Sequence, residues 1–191
     1  MKRIGLYFGS FNPIHVGHLI IAQHFLNNSD LDQVWFVVTP QNPFKPSQTL
    51  LNEYHRLHLV RLGIGDNPGL KASDVEFHLP KPSFTSATLV YLEEKFPKHS
   101  FSLLMGSDSY QNLPRWHNAD YILNHYPIYI YERPGYAPDL SEGKRVTLLK
   151  APLLDISASH IRMLIREKKS ITYLVPKEVE QECEKNNYYR D

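Results

Sequence analysis

Short apolar segments alternate with helical patterns along almost the whole chain, and this alternation most constrains its fold. The segments predicted as strands are residues 4–8, 34–39, 75–79, 101–105, 128–131 and 146–149. The predicted helices are residues 14–27, 53–65, 85–96, 158–167 and 177–185, with short helical pieces around residues 110 and 121. Compact apolar strands that are separated by helices favour a parallel sheet with helices on both faces. We therefore predict an α/β fold with a Rossmann-like, doubly wound parallel sheet and C-terminal helices.

The length and charge of the chain narrow its organisation and its partners. Its 191 residues suit one domain spanning residues 1–191, and no internal repeat or linker divides them. A formal net charge of +1 gives no strong electrostatic field that would attract nucleic acid or a membrane surface. The N-terminal apolar run is too short for a signal peptide, and no segment reaches membrane-spanning length. We expect a cytoplasmic protein with small-molecule partners, and the sequence leaves open whether it forms homo-oligomers.

The turn after the first predicted strand has the chemistry of an anion site. It begins at Gly9, passes through Ser10 and Phe11, and leads to His15 and His18 at the start of a predicted helix. Residues three apart on a helix share a face, so both imidazoles should point the same way. The free amides and the dipole of a helix N-terminus attract anions. We predict a phosphate site here, beyond the carboxyl end of the strand, where open α/β sheets bind ligands.

A second candidate phosphate site lies in the segment DISASHIR at residues 155–162. Ser157 and Ser159 stand at a predicted helix start, where serine commonly caps the first turn. Arg162 follows in the same segment, and its guanidinium can grip two phosphate oxygens. Capping and phosphate binding both fit the two serines, so the residues alone leave both roles open.

These segments, with others in the same order, resemble the nucleotidylyltransferase superfamily. That resemblance rests on GSFNPIHVGHL at residues 9–19 and ISASHIR at residues 156–162. Further segments are similar to nicotinate-mononucleotide adenylyltransferases of the bacterial type: PQNPFK at 40–45, PSFTSATL at 82–89, MGSDS at 105–109, LPRW at 113–116 and ERPG at 132–135. Asn12, Phe84 and Ser159 stand where the family more often has aspartate, tyrosine and threonine.

The resemblance implies adenylyl transfer from ATP to nicotinate mononucleotide, which forms nicotinate adenine dinucleotide and pyrophosphate in NAD biosynthesis. It implies catalytic roles for His15, His18 and Arg162. The implied ATP contacts are Gly9, Ser10, Phe11, His18, Gly106, Asp108, Arg133, Ile156, Ser157, Ser159 and Arg162. The implied mononucleotide contacts are Asn42, Lys45, Thr85, Trp116 and His117. In the family, the tryptophan stacks on the pyridine ring, and the amides at the positions of Thr85 and His117 receive its carboxylate. Whether Gln41 or Asn42 contacts the mononucleotide stays open.

Such a reaction needs few catalytic groups. The second pKa of a phosphate monoester is about 6, so the attacking phosphate is already mostly a dianion at neutral pH. The protein must align two anions and stabilise charge on the α-phosphate and the leaving pyrophosphate. No carboxylate cluster is visible in the sequence, and the single cysteine, Cys183, leaves nothing for a thiolate zinc site. We expect no protein metal site and Mg²⁺ that is carried with ATP.

Other functions must be weighed against this one. Trp116 and the segment 83–89 speak against a pantetheine-phosphate adenylyltransferase or a cytidylyltransferase. Intact His15, His18 and Arg162 speak against a nucleotide sensor that has lost turnover. Class I aminoacyl-tRNA synthetases share the histidine signature, but 191 residues leave no room for a tRNA-binding region. The sequence leaves open the degree of preference for nicotinate over nicotinamide mononucleotide, and any regulation.

Overall fold

Six parallel strands form one sheet in the computed structural model of the protein, which describes residues 1–41, 50–133, 135–136, 145–152 and 154–190. In chain order the strands are β1 (Lys2–Gly9), β2 (Gln33–Val38), β3 (Leu70–Ser73), β4 (His99–Gly106), β5 (Ile128–Tyr131) and β6 (Val146–Leu149). Their order across the sheet is β3-β2-β1-β4-β5-β6, and every neighbouring pair is parallel. This is the strand order of a doubly wound Rossmann-type sheet, so the predicted fold class is confirmed.

Helices cover both faces of this sheet. They are α1 (Val16–Asn28), α2 (Glu53–Ile64), α3 (Thr85–Lys95), α4 (Ser107–Asn112), α5 (Ala119–His125), α6 (Ala158–Arg166) and α7 (Lys177–Lys185). Buried residues of α1, α2, α6 and α7 belong to one apolar cluster, and those of α3 and α5 belong to another. Among the described residues, no helix combines the length and the apolar character that crossing a lipid bilayer requires.

The second strand shows why the strands of this sheet are apolar throughout. Val34, Phe36 and Val38 pack into the cluster on one face, whereas Trp35 and Val37 pack into the cluster on the other. Successive side chains of a strand point to opposite faces, and both faces are covered here. A continuous apolar run therefore replaces the alternation of polar and apolar residues that a half-exposed strand would show.

The strand order reverses between β1 and β4, and this reversal opens a crevice at one edge of the sheet. The two strands pair in register, with Leu6 opposite Leu103 and Tyr7 opposite Leu104. Gly9 and Gly106 are the last residues of the two strands and lie at the same edge. The turn from β1 to α1 and the junction from β4 to α4 therefore face each other across the crevice.

The predicted strand at residues 75–79 is wrong. The chain forms a short 3₁₀ helix there, Val75–His78, and the strand lies earlier at Leu70–Ser73. Val75 packs into the core cluster beneath α3, and Phe77 makes an edge-on contact with Tyr54 of α2. The two apolar side chains are two residues apart, as on one face of a strand, but different neighbours cover them.

Candidate active site

A cavity of about 580 Å³ lies at the crevice between the ends of β1 and β4. All the predicted site residues that the structure describes line this one cavity. They are Gly9, Ser10, Phe11, His15, His18, Thr85, Gly106, Asp108, Trp116, His117, Arg133, Ile156, Ser157, Ser159 and Arg162. Asn42 and Lys45 lie outside the described residues. Gln41 is described and exposed, and it is not among the residues that line the cavity.

The turn between β1 and α1 closes tightly over the first strand. Phe11 has a φ of 45°, in the left-handed region, and its buried ring packs edge-on against Tyr7 and Phe36. A Cβ on Gly9 would lie 2.8 Å from that ring, so the turn requires glycine at this position. The Asn12 side-chain oxygen accepts a hydrogen bond from the Leu51 amide at 3.1 Å. Asn12 therefore helps to hold the turn against the chain before α2.

The two histidines stack on each other at the N-terminus of α1. Helix α1 begins at Val16, so His15 is its N-cap and His18 the third helical residue. Their ring centroids are 3.6 Å apart with an interplanar angle of 26°. The two rings are therefore side by side, although His15 lies just before the helix, with extended backbone, and not on its first turn. The His15 backbone amide donates to His18 Nδ1 at 3.3 Å. Because Nδ1 accepts, a neutral His18 carries its proton on Nε2.

Both histidines are neutral at pH 7. Burial, and to a smaller extent the nearby Arg133 guanidinium, lowers the pKa of His15 to about 4. Burial also lowers the pKa of His18 well below its usual value, with smaller contributions from His15 and Arg133. Each imidazole therefore offers one N–H donor and no positive charge. The positive potential at this end of the cavity comes from the arginines and the helix N-terminus.

Asp108 and Arg133 form an ion pair on the β4 side of the cavity. Asp108 Oδ2 is 3.2 Å from Arg133 Nη1, and the Arg133 amide donates to Ser107 Oγ at 2.9 Å. Asp108 Oδ1 is buried, and the described residues give it no hydrogen-bond partner. A Cβ on Gly106 would lie 2.5 Å from this oxygen, so glycine makes room for the carboxylate. One carboxylate oxygen thus has no hydrogen-bond donor among the described residues.

The start of α6 docks onto the turn after β1. Ser157 is the N-cap of α6, and its Oγ accepts from the His160 amide at 3.2 Å. The capping role is therefore real for Ser157, although its hydroxyl proton can still be donated. Arg162 donates from Nη1 to the Asn12 carbonyl at 2.7 Å and from Nη2 to Ser159 Oγ at 3.2 Å. Arg162 thereby ties the two predicted phosphate-binding segments together.

The other end of the cavity lies at a helix start without a side-chain cap, beside aromatic rings. Helix α3 begins at Thr85, and its N-cap Phe84 makes no side-chain capping hydrogen bond. The Phe84 ring lies 4.7 Å from the His117 ring, tilted by 31°. His117 Nδ1 and Ser86 Oγ are 3.3 Å apart in a hydrogen bond. Trp116, partly buried against the core cluster of α3, precedes His117 and also faces the cavity.

Sequence reasoning missed Arg56, which is fully buried in α2. Its guanidinium donates to four carbonyl oxygens at 2.6–3.1 Å: those of Leu51, Ser10, Thr39 and Pro40. It therefore joins the turn after β1, the end of β2 and the chain before α2. A signal was present, because Arg56 is three residues before Leu59 and four before Val60, on the apolar face of the helix.

The sequence pattern does not single out Glu76 either, because it predicts a strand over residues 75–79. Its carboxyl group is 1% exposed and lines the cavity. Burial raises the pKa of Glu76 to about 7, and the hydrogen bond from Thr88 together with the nearby hydroxyls of Thr39 and Ser83 limits the rise. Glu76 is therefore partly protonated at neutral pH.

Comparisons with known proteins agree with this geometry. The family model described as cytidylyltransferase-like matches residues 6–164. A protein from Cytophaga hutchinsonii, named probable nicotinate-nucleotide adenylyltransferase, is 52% identical over 98% of both chains. A protein of the same name from Flavobacterium psychrophilum is 48% identical over 98% of this chain and 99% of its own length. The structure of Plasmodium falciparum nicotinic acid mononucleotide adenylyltransferase complexed with NaAD matches with a TM-score of 0.84 and 22% identity, over 99% of this chain and 98% of that one.

Proposed function

We propose that this chain, which belongs to the cytidylyltransferase-like family, transfers the adenylyl group of ATP to nicotinate mononucleotide. The products are nicotinate adenine dinucleotide and pyrophosphate, in NAD biosynthesis. One observation carries the proposal: a single cavity joins an anion-binding turn with two neutral histidines to a helix start with free amides beside Trp116 and His117. A triphosphate suits the first end, and a pyridine carboxylate suits the second.

In this proposal ATP binds between the turn after β1, the end of β4 and the start of α6. The amides of the first turn of α1 and the His18 Nε2–H would donate to phosphate oxygens. Arg162, Ser157 and Ser159 are close enough to the turn to serve the same triphosphate. The buried Oδ1 of Asp108 is suited to accept from a ribose hydroxyl, with Arg133 holding the carboxylate in place. Gly9, Ser10, Phe11, Gly106 and Ile156 would shape the walls around the nucleotide.

The mononucleotide would occupy the end of the cavity formed by α3 and the segment after α4. Trp116 offers a flat face for the pyridine ring, and offset stacking contributes about 0.5–1.5 kcal/mol beyond area burial. The amides of Thr85 and His117 would donate to the pyridine carboxylate. Asn42 and Lys45 are proposed to contact the mononucleotide on the strength of the family resemblance, and they lie outside the described residues.

Catalysis in this arrangement consists of alignment and charge stabilisation. The mononucleotide phosphate is mostly a dianion at neutral pH, so it attacks the α-phosphate without a general base. Negative charge then develops on the α-phosphate and on the leaving pyrophosphate. Preorganised donors that face this charge lower the barrier, and neutral His15 and His18 beside a helix N-terminus provide such donors. Arg162 would add a positive charge on the same side.

Magnesium would reach this site with ATP. Among the described residues, no group of three His, Cys, Asp or Glu side chains could hold a metal ion. Asp108 pairs with Arg133, and Glu76 is buried against Thr88. The described part of the chain therefore offers no cage of its own, and phosphate oxygens and water would hold the ion.

The test is pyrophosphate release from ATP and Mg²⁺ with nicotinate mononucleotide, nicotinamide mononucleotide or phosphopantetheine offered separately. We expect release with nicotinate mononucleotide and a dinucleotide product of matching mass. The His18→Ala variant, purified in the same way, controls for contaminating activity. Release only with phosphopantetheine, or binding of ATP without release in any mixture, would overturn the proposal.

A further inference from the structure

A buried carboxyl group lies in the wall of the cavity, and the proposed reaction does not use it. Glu76 Oε1 accepts a hydrogen bond from Thr88 Oγ1 at 3.0 Å. Its Oε2 is buried and has no hydrogen-bond partner within the described part of the chain. The hydroxyl of Ser83 is also buried, lines the same cavity and is likewise unpartnered. Buried polar atoms without partners are rare in native proteins and call for an explanation.

This cluster lies beneath the first turn of α3. Thr88 Oγ1 is also 3.3 Å from the carbonyl oxygen of Phe84, the N-cap of α3. That carbonyl belongs to the same peptide unit as the Thr85 amide nitrogen. Glu76 Oε1 therefore lies within about 9 Å of the Thr85 amide. This amide is one of the two donors that we assign to the pyridine carboxylate.

Few charges surround Glu76. Its neighbours on α3, on the end of β2 and on the chain before α3 are the hydroxyls of Thr88, Thr39 and Ser83, and burial raises its pKa to about 7. Asp74 and His78, which flank it, form an exposed pair at 3.7 Å. Lys81 pairs with Glu53 at 2.7 Å, partly in solvent. At the start of α3, His117 is exposed and hydrogen-bonded to Ser86. On the side of α2, the Arg56 guanidinium donates to the Thr39 carbonyl at 2.8 Å.

We propose that Glu76 sets the selectivity of the site through its own charge, because its carboxyl group and the pyridine carboxylate face the same helix start. Neutral Glu76 admits the pyridine carboxylate, whereas ionised Glu76 repels it. The affinity for the nicotinamide form, whose carboxamide is uncharged, does not depend on that charge. A carboxylate oxygen that accepts from the Thr85 amide would lie about 3 Å beyond it, and so within about 12 Å of Glu76. Two unit charges at about 12 Å and an effective dielectric constant of about 20 correspond to roughly a tenfold change in affinity. This inference rests on the proposed function, since it takes the carboxylate to bind at α3.

The experiment measures dissociation constants of both mononucleotides by calorimetry between pH 6 and pH 9. The ratio of the two constants cancels the titration of the mononucleotide phosphate, of His15 and of His18, which both ligands share. We expect the preference for the nicotinate form to fall about tenfold between these pH values. Binding of that form at pH 8 should also take up protons, measured in buffers of different ionisation enthalpy, and binding of the nicotinamide form should not.

Two variants separate Glu76 from other groups. Glu76→Gln keeps an oxygen for Thr88 and should make the ratio independent of pH. Glu94→Gln removes an exposed carboxylate from α3, the helix that carries Thr88, and should leave the pH profile of the wild-type protein unchanged. If the ratio of the two dissociation constants does not change with pH in the wild-type protein, that result alone would overturn the inference. A slope that persists in Glu76→Gln would also overturn it and would assign the effect to His117. Failure to release pyrophosphate with either mononucleotide would refute the reaction itself, and the inference with it.

Discussion

Replacing Arg56 with methionine tests whether this side chain holds the cavity together. The guanidinium is fully buried and donates to four carbonyl oxygens from three separate segments. Methionine fills a similar volume but leaves those carbonyls without a donor, and each buried unsatisfied carbonyl costs about 1–3 kcal/mol. The losses are not additive, and burial of the charge is itself unfavourable. We therefore expect the free energy of unfolding to fall by about 3–5 kcal/mol.

Two further variants define the reason for this loss. Arg56→Lys keeps the charge but supplies one donor centre instead of a planar fork, so it cannot reach all three segments. Its loss should be smaller, about 2 kcal/mol. Arg61 lies on the same helix and is exposed, so Arg61→Met should change stability by less than about 0.5 kcal/mol. Urea unfolding followed by circular dichroism measures all three variants.

Substitution of Arg56 should also lower the catalytic efficiency. Arg56 fixes the carbonyls of Ser10 and Thr39, and both residues line the cavity. In the folded fraction of Arg56→Lys, we expect kcat/KM for ATP to fall about tenfold, since small displacements of aligned groups are costly. If Arg56→Met loses less than about 1 kcal/mol, or if Arg61→Met loses as much, the clamp that we assign to Arg56 does not exist.

Three other substitutions address the histidines and the pyridine site. His18→Ala should lower kcat on the order of a hundredfold without changing the circular dichroism spectrum, because a preorganised donor to developing charge is lost; a folded variant with near wild-type kcat would exclude this role. Trp116→Ala should weaken mononucleotide binding about tenfold and leave ATP binding nearly unchanged; calorimetry that finds the reverse would exchange the two substrate positions. Between pH 7 and pH 5 the unfolded chain protonates His15, with an ordinary pKa near 6.5, while the folded chain, with a pKa of about 4, does not. Stability therefore falls as the pH falls, by about 2 kcal/mol more in the wild-type protein than in His15→Gln; equal losses in urea unfolding would contradict the lowered pKa.

Local sequence patterns determined most of the fold and the parts of the site at the starts of α1 and α6. The order of strands and helices follows from apolar runs and helical periodicity, and every predicted strand except the one at residues 75–79 is present. The proximity of His15 and His18 follows from a spacing of three at a helix start. The cap formed by Ser157 follows from its position before α6. These features depend on residues within one or two helical turns, so the sequence alone contains the necessary information.

The tertiary structure decided the features that depend on distant residues. Arg162 reaches the Asn12 carbonyl across 150 residues, and Arg56 joins three segments, neither of which a local pattern reveals. The neutral state of His15 and the raised pKa of Glu76 come chiefly from burial, which only the packed fold creates. Sequence spacing fixes which side chains share a turn or a face. Charge state and long-range donors depend on what covers those side chains, because removal from water and contact between distant segments occur only when the chain has folded.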